Sequence, residues 1–451
     1  LDVEEFAMRY EELEGLVKEE ITQREEEGCD VAEAKEALVN IKRKSRTKLE
    51  AILKDVNRLS PRADFPYAEP SDLEGIRAER PKGPRKIRLG LSEEQIFNKI
   101  YGGWLGRCAG CLLGKPVEGM PKEQIDEWLR IAGAYPLSDY FPSPPETKDV
   151  PEWLRRRASW KEVLSGHITR MPRDDDIDYP IINLHLLETK GFNFTAADVG
   201  NVWLENLPYN KVYTAERVAY RNLVNGLAPP ETASYMNPYR EWIGAQIRAD
   251  MFGYVTPGMP ELGAEFASRD ASLSHVKNGI YSEMFVAAMI SAAFTSNNIY
   301  EVIEVGLSEI PRESRLAEAV KDVVAWSRKN SDWRDTWQQV NAKYGHYHGV
   351  HTINNAALVL LGLLHGKGDY GRSISISVMG GWDTDCNGAT TGSILGVMHG
   401  AEKLPQKWVG PLNDRVESYV VGYNNSRISD LAKRTLNLAL NTLKGEAEKG
   451  S

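Results

Sequence analysis

The stretch Gly380-Gly381-Trp382-Asp383-Thr384-Asp385-Cys386-Asn387-Gly388-Ala389 sets two carboxylates one residue apart, between a glycine pair and a run that reads as helix. Such an arrangement presents oxygen ligands at a helix N-terminus. Taken alone it is a weak signal. Its weight comes from a second acidic knot far upstream, Asp174-Asp175-Asp176 with Asp178, also placed just before an apolar helical pattern, Tyr179-Pro180-Ile181-Ile182. A helix cap uses one aspartate, stabilised there by ~0.3–1 kcal/mol, so capping leaves most of these carboxylates unexplained. Brought together, the two knots would repel strongly unless a cation sat between them. The sequence therefore predicts that they converge on one or two hard ions. An all-oxygen donor set favours Mg²⁺, Mn²⁺ or Ca²⁺ over zinc.

Working outward, glycines recur every fourth residue at Gly102, Gly106, Gly110 and Gly114, and again at Gly388, Gly392, Gly396 and Gly400. Each glycine costs a helix ~1 kcal/mol relative to alanine, so a register of four must permit something, most simply a close backbone approach. The two glycine faces are predicted to pack against each other. The first of these helices opens at the capping box Ser92-Glu93-Glu94-Gln95. Downstream of the aspartate knot nearly every segment reads as helix: Ile181 to Glu188, Val212 to Val224, Tyr239 to Met251, Asn278 to Phe294, Ile299 to Glu309, Arg315 to Arg328, Trp333 to Tyr344, Asn354 to His365 and Ser429 to Leu443. Ser373 to Val378 alternates with a strand-like period of two, but has no partner strand and is read as helix.

Three regions follow. Residues 1–58 carry thin apolar stripes (Val3, Phe6, Tyr10, Leu13, Val17; then Val31, Ala34, Leu38, Ile41, Ile52, Val56) split at Gly28 and an Asp30…Glu33 capping box, predicting a two-helix hairpin that lies on the main domain or on a second copy of the chain. Residues 59–90, with Pro61, Pro66, Pro70, Pro81 and Pro84, read as a linker or strap. Residues 91–445 are the main domain, with a long Pro- and Trp-rich loop from 115 to 170 of the kind that is more often functional than idle.

Composition sets the bounds. The 451 residues, 42% hydrophobic, can bury a sizeable core. A net charge of −9 argues against nucleic acid as partner, leaving a local basic patch, Arg80 to Arg88, for an anionic ligand. No apolar run approaches the ~20 residues of a membrane helix and no basic-then-apolar leader opens the chain, so no membrane association and a cytoplasmic location are expected. The chain opens at Leu1 rather than Met, which fits a trimmed or mature form. The four cysteines, Cys29, Cys108, Cys111 and Cys386, are too few for a disulfide scaffold. Cys108 and Cys111 have half a zinc site's spacing but no second pair, and lie beside the glycine face. His346, His348 and His351 form a polar loop that reads as substrate-facing, with incidental surface and a zinc site as the alternatives. Ser274-His275 is a similar polar turn. No nucleophile elbow and no phosphate-cradling loop is present.

These motifs resemble the ADP-ribosylglycohydrolase family, of the dinitrogenase reductase-activating type. That family's glycine-rich helix ending GDAxGxPxE is matched by Gly110-Cys111-Leu112-Leu113-Gly114-Lys115-Pro116-Val117-Glu118. Its TDDT knot is matched by Asp174-Asp175-Asp176-Ile177, and its GGDTDTNA stretch by Gly380 to Ala389. Gly244 to Arg248 and Ser274-His275 are weaker echoes. The resemblance covers roughly 95–405 and implies an all-α orthogonal multi-helix bundle, to which the N-terminal hairpin is an addition. It implies a binuclear Mg²⁺ or Mn²⁺ site with Asp174, Asp175, Asp176, Asp383 and Asp385 as ligands. The activity implied is hydrolysis of an N- or O-glycosidic bond at the anomeric carbon of an ADP-ribosyl or related ribosyl group, on a small-molecule glycoside or ADP-ribosylated acceptor. Glu118, Asp175 and Asp383 are the expected catalytic carboxylates; Trp382, His275, His348, His351 and Asn387 are the expected substrate contacts. Cys111, Asp174 and Cys386 depart from the family pattern, and Trp382 is inserted before the second knot. From the glycine register Cys111 and Cys386 are expected to approach each other. Three alternatives remain open: a different pentoside or nucleoside-like glycoside, a metal-free carboxylate-pair glycosidase, and a nucleotide-sugar binding protein without turnover.

Overall fold

The computed structural model describes residues 9–147 and 149–449; the apolar positions Val3 and Phe6 lie outside them. The architecture is all-α, with one two-residue antiparallel strand pair, Arg415–Val416 against Ser426–Arg427, that the sequence reading missed. At its centre the helices Glu93–Gly114 and Thr384–His399 lie backbone to backbone. A Cβ added at Gly102, Gly106 or Gly110 would overlap the carbonyl oxygen of Gly396, Gly392 or Gly388 in turn, and the reverse holds from the other helix. At Gly114 the facing oxygen is that of Thr384, whose hydroxyl donates to the Gly114 carbonyl at 2.8 Å. The predicted glycine-face packing is what the structure has. Gly400 falls outside it, closing the second helix at φ +79° against Asn98.

This contact matters for function because it fixes the start of one helix to the end of the other. The turn carrying Asp383 and Asp385 is thereby seated beside Lys115 and Glu118. The Asp175–Lys190 helix joins them through Arg107, which is fully buried on the first glycine helix. Pro180 lacks an N–H and so leaves the Asp176 carbonyl free of its helical partner, and Arg107 Nε donates to that oxygen at 2.7 Å.

Most predicted helices are present within a few residues, among them Tyr370–Met379, the segment with strand-like alternation. That helix is buried on nearly every side, so no amphipathic period marks it. Ser377 Oγ satisfies itself on the Leu358 carbonyl at 3.0 Å and sits 2.8 Å from Thr391 Oγ1. Two expectations fail. Tyr239 to Met251 is not one helix but turns leading to a 3₁₀ turn, Gln246–Arg248, and a short helix, Asp250–Tyr254. Helices Ala196–Asn206 and Pro260–Ala271 went unpredicted.

The N-terminal region is three helices, not a two-helix hairpin: Tyr10–Glu26, Ala32–Val39 and Arg46–Val56. The break falls at Ile41 to Ser45, through the consecutive cations Lys42, Arg43 and Lys44. Leu13, Leu16, Val17 and Ile21 bury themselves against Leu49, Ile52, Leu53 and Val56, with Met236 of the main domain alongside, so the stripe is covered within the chain. The polar side of the first helix lies on the main domain: Arg240 reaches Glu20 at 2.7 Å and Glu27 at 2.9 Å, and Gln23 donates to Glu241 at 2.6 Å. The strap is bound as firmly, with Arg315 on Glu69 at 2.7 Å. Arg80 and Arg85, two of the basic residues of that patch, are paired with Glu309, and Arg80 also with Glu261.

Candidate metal and catalytic centre

The two acidic knots meet. Ligand atoms of Glu118, Asp383 and Asp385 lie within 4.8 Å of one another, and the same holds for Asp176, Asp385 and Cys386, and for Cys111, Asp174 and Asp176. Glu118 follows the first glycine helix and is exposed at the mouth; the others are buried. Asp174 caps the Asp175–Lys190 helix, its Oδ1 accepting from the Asp176 amide at 3.0 Å. Its Oδ2 accepts from the Lys115 ammonium. Asp176 accepts from Arg107 Nη2 at 3.1 Å on one oxygen and from Cys386 Sγ at 3.1 Å on the other. Asp175, partly exposed, lies 3.8 Å from Arg173. Asp178 faces elsewhere, holding Arg173 at 2.7 Å, the Ser418 hydroxyl at 2.6 Å and the Tyr419 amide at 3.0 Å.

The second knot is built differently. Asp383 Oδ1, Asp385 Oδ1 and Asn387 Oδ1 are buried with no hydrogen-bond partner among the described residues. Asn355 orders the turn, its Oδ1 accepting from the Asp383 amide at 3.2 Å and from Asn387 Nδ2 at 2.8 Å. Burial, followed by the charges of Glu118, Asp174 and Asp383, drives the Asp385 carboxyl well above the usual range. Burial and the charge of Asp383 push Glu118 up to about 7. Asp174 goes the other way: burial opposes its ionisation, but the Lys115 charge and hydrogen bond outweigh it and hold the carboxyl low. Crowded, partnerless carboxylate oxygens in a buried turn are a donor set suited to a hard divalent cation.

The remaining predicted contacts divide. Trp382 is half-buried at φ +60°, a strained backbone for an aromatic residue, with Gly349 of the histidine loop beside its ring. Its carbonyl accepts from the Gly119 amide at 2.9 Å, tying the knot to the turn after Glu118. His348 is exposed, stacked on Trp242 with ring centroids 4.1 Å apart. Asn387 reaches the knot from its own helix. His351 does not face a pocket: it is buried, caps the Thr352–Gly366 helix through Nδ1 and stacks on Tyr347. His275 is likewise enclosed, its Nδ1 2.8 Å from Ser274 Oγ and its surroundings dominated by Arg248. Both are enclosed by the packing of the turns that carry them rather than open to solvent as expected, each with its Nε2 buried and without a hydrogen-bond partner among the described residues. Cys111 and Cys386 converge on the same aspartate, Asp176, and all four cysteines are free. Burial pushes the Cys108 thiol up to about 12, as befits a packing residue.

The ADP-ribosylglycohydrolase family model matches residues 92–444. The chain belongs to this family. In this chain the three N-terminal helices and the whole of the strap precede the matched region. A solved structure titled "ADP-ribosylglycohydrolase-related protein complex" aligns at 16% identity and a TM-score of 0.48, covering 77% of this chain and 98% of that one. No curated protein matches. Lys115, Arg107 and Asn355 are site residues that the sequence reading did not name. Lys115 stands inside the quoted motif, and Arg107 is the one charged residue between Ile100 and Gly114 in the glycine-rich helix; either signal was available.

Proposed function

We propose that the protein is a metal-dependent glycoside hydrolase cleaving at the anomeric carbon of an ADP-ribosyl or related ribosyl group. The observation that supports this best is the juxtaposition of Glu118 at the mouth with the bare carboxylate oxygens of Asp383 and Asp385 beneath it. A divalent ion held there supplies Lewis-acid polarisation of sugar hydroxyls and of the attacking water. The protein's own groups do the rest. Glu118, open to solvent, takes the proton from water as it attacks. The fixed carboxylates of Asp383, Asp385 and Asp175 stabilise positive charge developing at the anomeric carbon. Trp382 offers an apolar face to the sugar or base, and its strained backbone holds that face at the mouth.

The test is turnover of a panel of ADP-ribosylated peptides, differing in acceptor side chain, and of aryl pentosides, in Mg²⁺ or Mn²⁺ and with a chelator. Release of the ribosyl group, lost on chelation and restored by either ion, is the expected result. Activity that survives chelation favours a metal-free carboxylate pair. Tight ADP-ribose binding with no turnover of any glycoside overturns the hydrolase reading in favour of a nucleotide-sugar binding protein.

A further inference from the structure

The acidic centre has two halves, and their oxygens are satisfied differently. In the first half both oxygens of Asp174 are taken, by Lys115 and by the Asp176 amide, and both oxygens of Asp176 by Arg107 and Cys386. Neither cation can readily leave. Lys115 is buried, its ammonium 5.0 Å from the centroid of the Trp160 ring. Arg107 is fully enclosed and also holds Asp250 Oδ2 and the Ile247 carbonyl, each at 2.7 Å. The third donor of that ligand cluster is a thiol, Cys111, which a hard ion binds poorly, and Asp175, the remaining carboxylate of the knot, is partly exposed beside Arg173 at 3.8 Å. In the second half Asp383 and Asp385, each more than nine-tenths buried, keep a free oxygen next to Glu118.

We propose that the centre binds a single divalent ion, on Glu118, Asp383 and Asp385, and that the Lys115 ammonium permanently occupies the role of a second ion beside Asp174. This departs from the binuclear site the family resemblance implies. It rests on the proposed metal dependence, which it makes more specific. A fixed ammonium neutralises Asp174 without exchanging with solvent, but it cannot accept a lone pair. Only one ion therefore coordinates substrate oxygens, and Lys115 can contribute only hydrogen bonds and charge.

The test is the stoichiometry of Mn²⁺ on the metal-stripped full-length chain, by calorimetry and electron paramagnetic resonance without substrate. One ion per chain with an isolated-ion spectrum is expected. Asp385→Asn should weaken that binding by at least about 10-fold, while Asp174→Asn changes it less. The double variant Cys111→Asp with Lys115→Ala should admit a second ion, seen as a spin-coupled spectrum. Two ions on the unaltered chain, or none, overturns the inference, as does loss of the single ion on Asp174→Asn with retention on Asp385→Asn. Should the double variant fail to fold, by circular dichroism, the stoichiometry of the unaltered chain still decides. A one-ion protein that cleaves no glycoside would sink the hydrolase reading and leave this inference standing; a two-ion active enzyme would do the reverse.

Discussion

At the seam between the N-terminal helices and the main domain, buried carboxylates share arginines in pairs: Glu20 and Glu27 meet Arg240, while Glu69 and Glu241 meet Arg315, all within 2.9 Å. At the acidic centre Asp383 and Asp385 each keep an oxygen that nothing in the described protein satisfies. Both regions are buried and acidic, yet in one the carboxylates are paired with arginines and in the other, two oxygens have no partner within the described protein. The lesson is that an unsatisfied buried carboxylate costs stability, which a protein retains where something else is to bind. The first knot sits between these extremes: acidic like the centre, but paired like the seam.

This comparison can be broken in four places. The largest effect is expected from Arg240→Leu, which takes the buried guanidinium from both Glu20 and Glu27 and leaves them only Arg24 and Lys277 as cations. A loss of about 3–5 kcal/mol in a denaturant titration is expected; a change below measurement would show the seam to be no better matched than the centre. Asp174→Asn strands Lys115 and should cost about 3 kcal/mol in metal-free protein by the same measurement. Asp385→Asn, in the same cluster, should do the opposite. Removing a crowded charge is expected to stabilise the metal-free protein by about 1 kcal/mol while abolishing stabilisation by added Mn²⁺, read as melting temperature with and without the ion. If Asp174→Asn and Asp385→Asn shift stability alike, the distinction between the two knots fails.

A pH-dependent effect tests a seam carboxylate with no arginine or lysine in ion-pair contact among the described residues. Glu26 lies 3.7 Å from His351 Nε2, and His351 is held neutral at physiological pH, its pKa lowered by burial to about 3. Burial, then the charge of Glu241, raises Glu26 from 4.5 to about 8. Its folded form therefore binds more protons than the unfolded form between those values, and its contribution to stability falls as pH rises through that window. Glu26→Gln cannot ionise. The melting-temperature difference between this variant and the parent should be near zero at pH 4.5 and grow in the variant's favour toward pH 8. A difference independent of pH would mean that Glu26 is not protonated in the folded chain.

Much of the centre was legible because its signals are local and redundant. Four glycines in register on each of two helices can mean little except backbone contact, and aspartates beyond the needs of a cap invite a cation. The histidines misled because a polar turn looks the same whether its side chains face a pocket or are folded into the packing, as His275 and His351 are. Tyr239 to Met251 misled because Arg240, Glu241 and Arg248 are each drawn to partners remote in sequence, and those ion pairs fix turns where local pattern favours helix.

By itself the sequence determined the all-α class, the glycine contact and the identity of the acidic groups, since each depends on residue type and spacing along one helix. Which of those carboxylates are neutralised and which stay open was decided only by the tertiary structure. Lys115, Arg107 and Arg240 find their partners across long stretches of chain, and the strength of a buried charge pair depends on distance in space, to which spacing along the chain gives no guide.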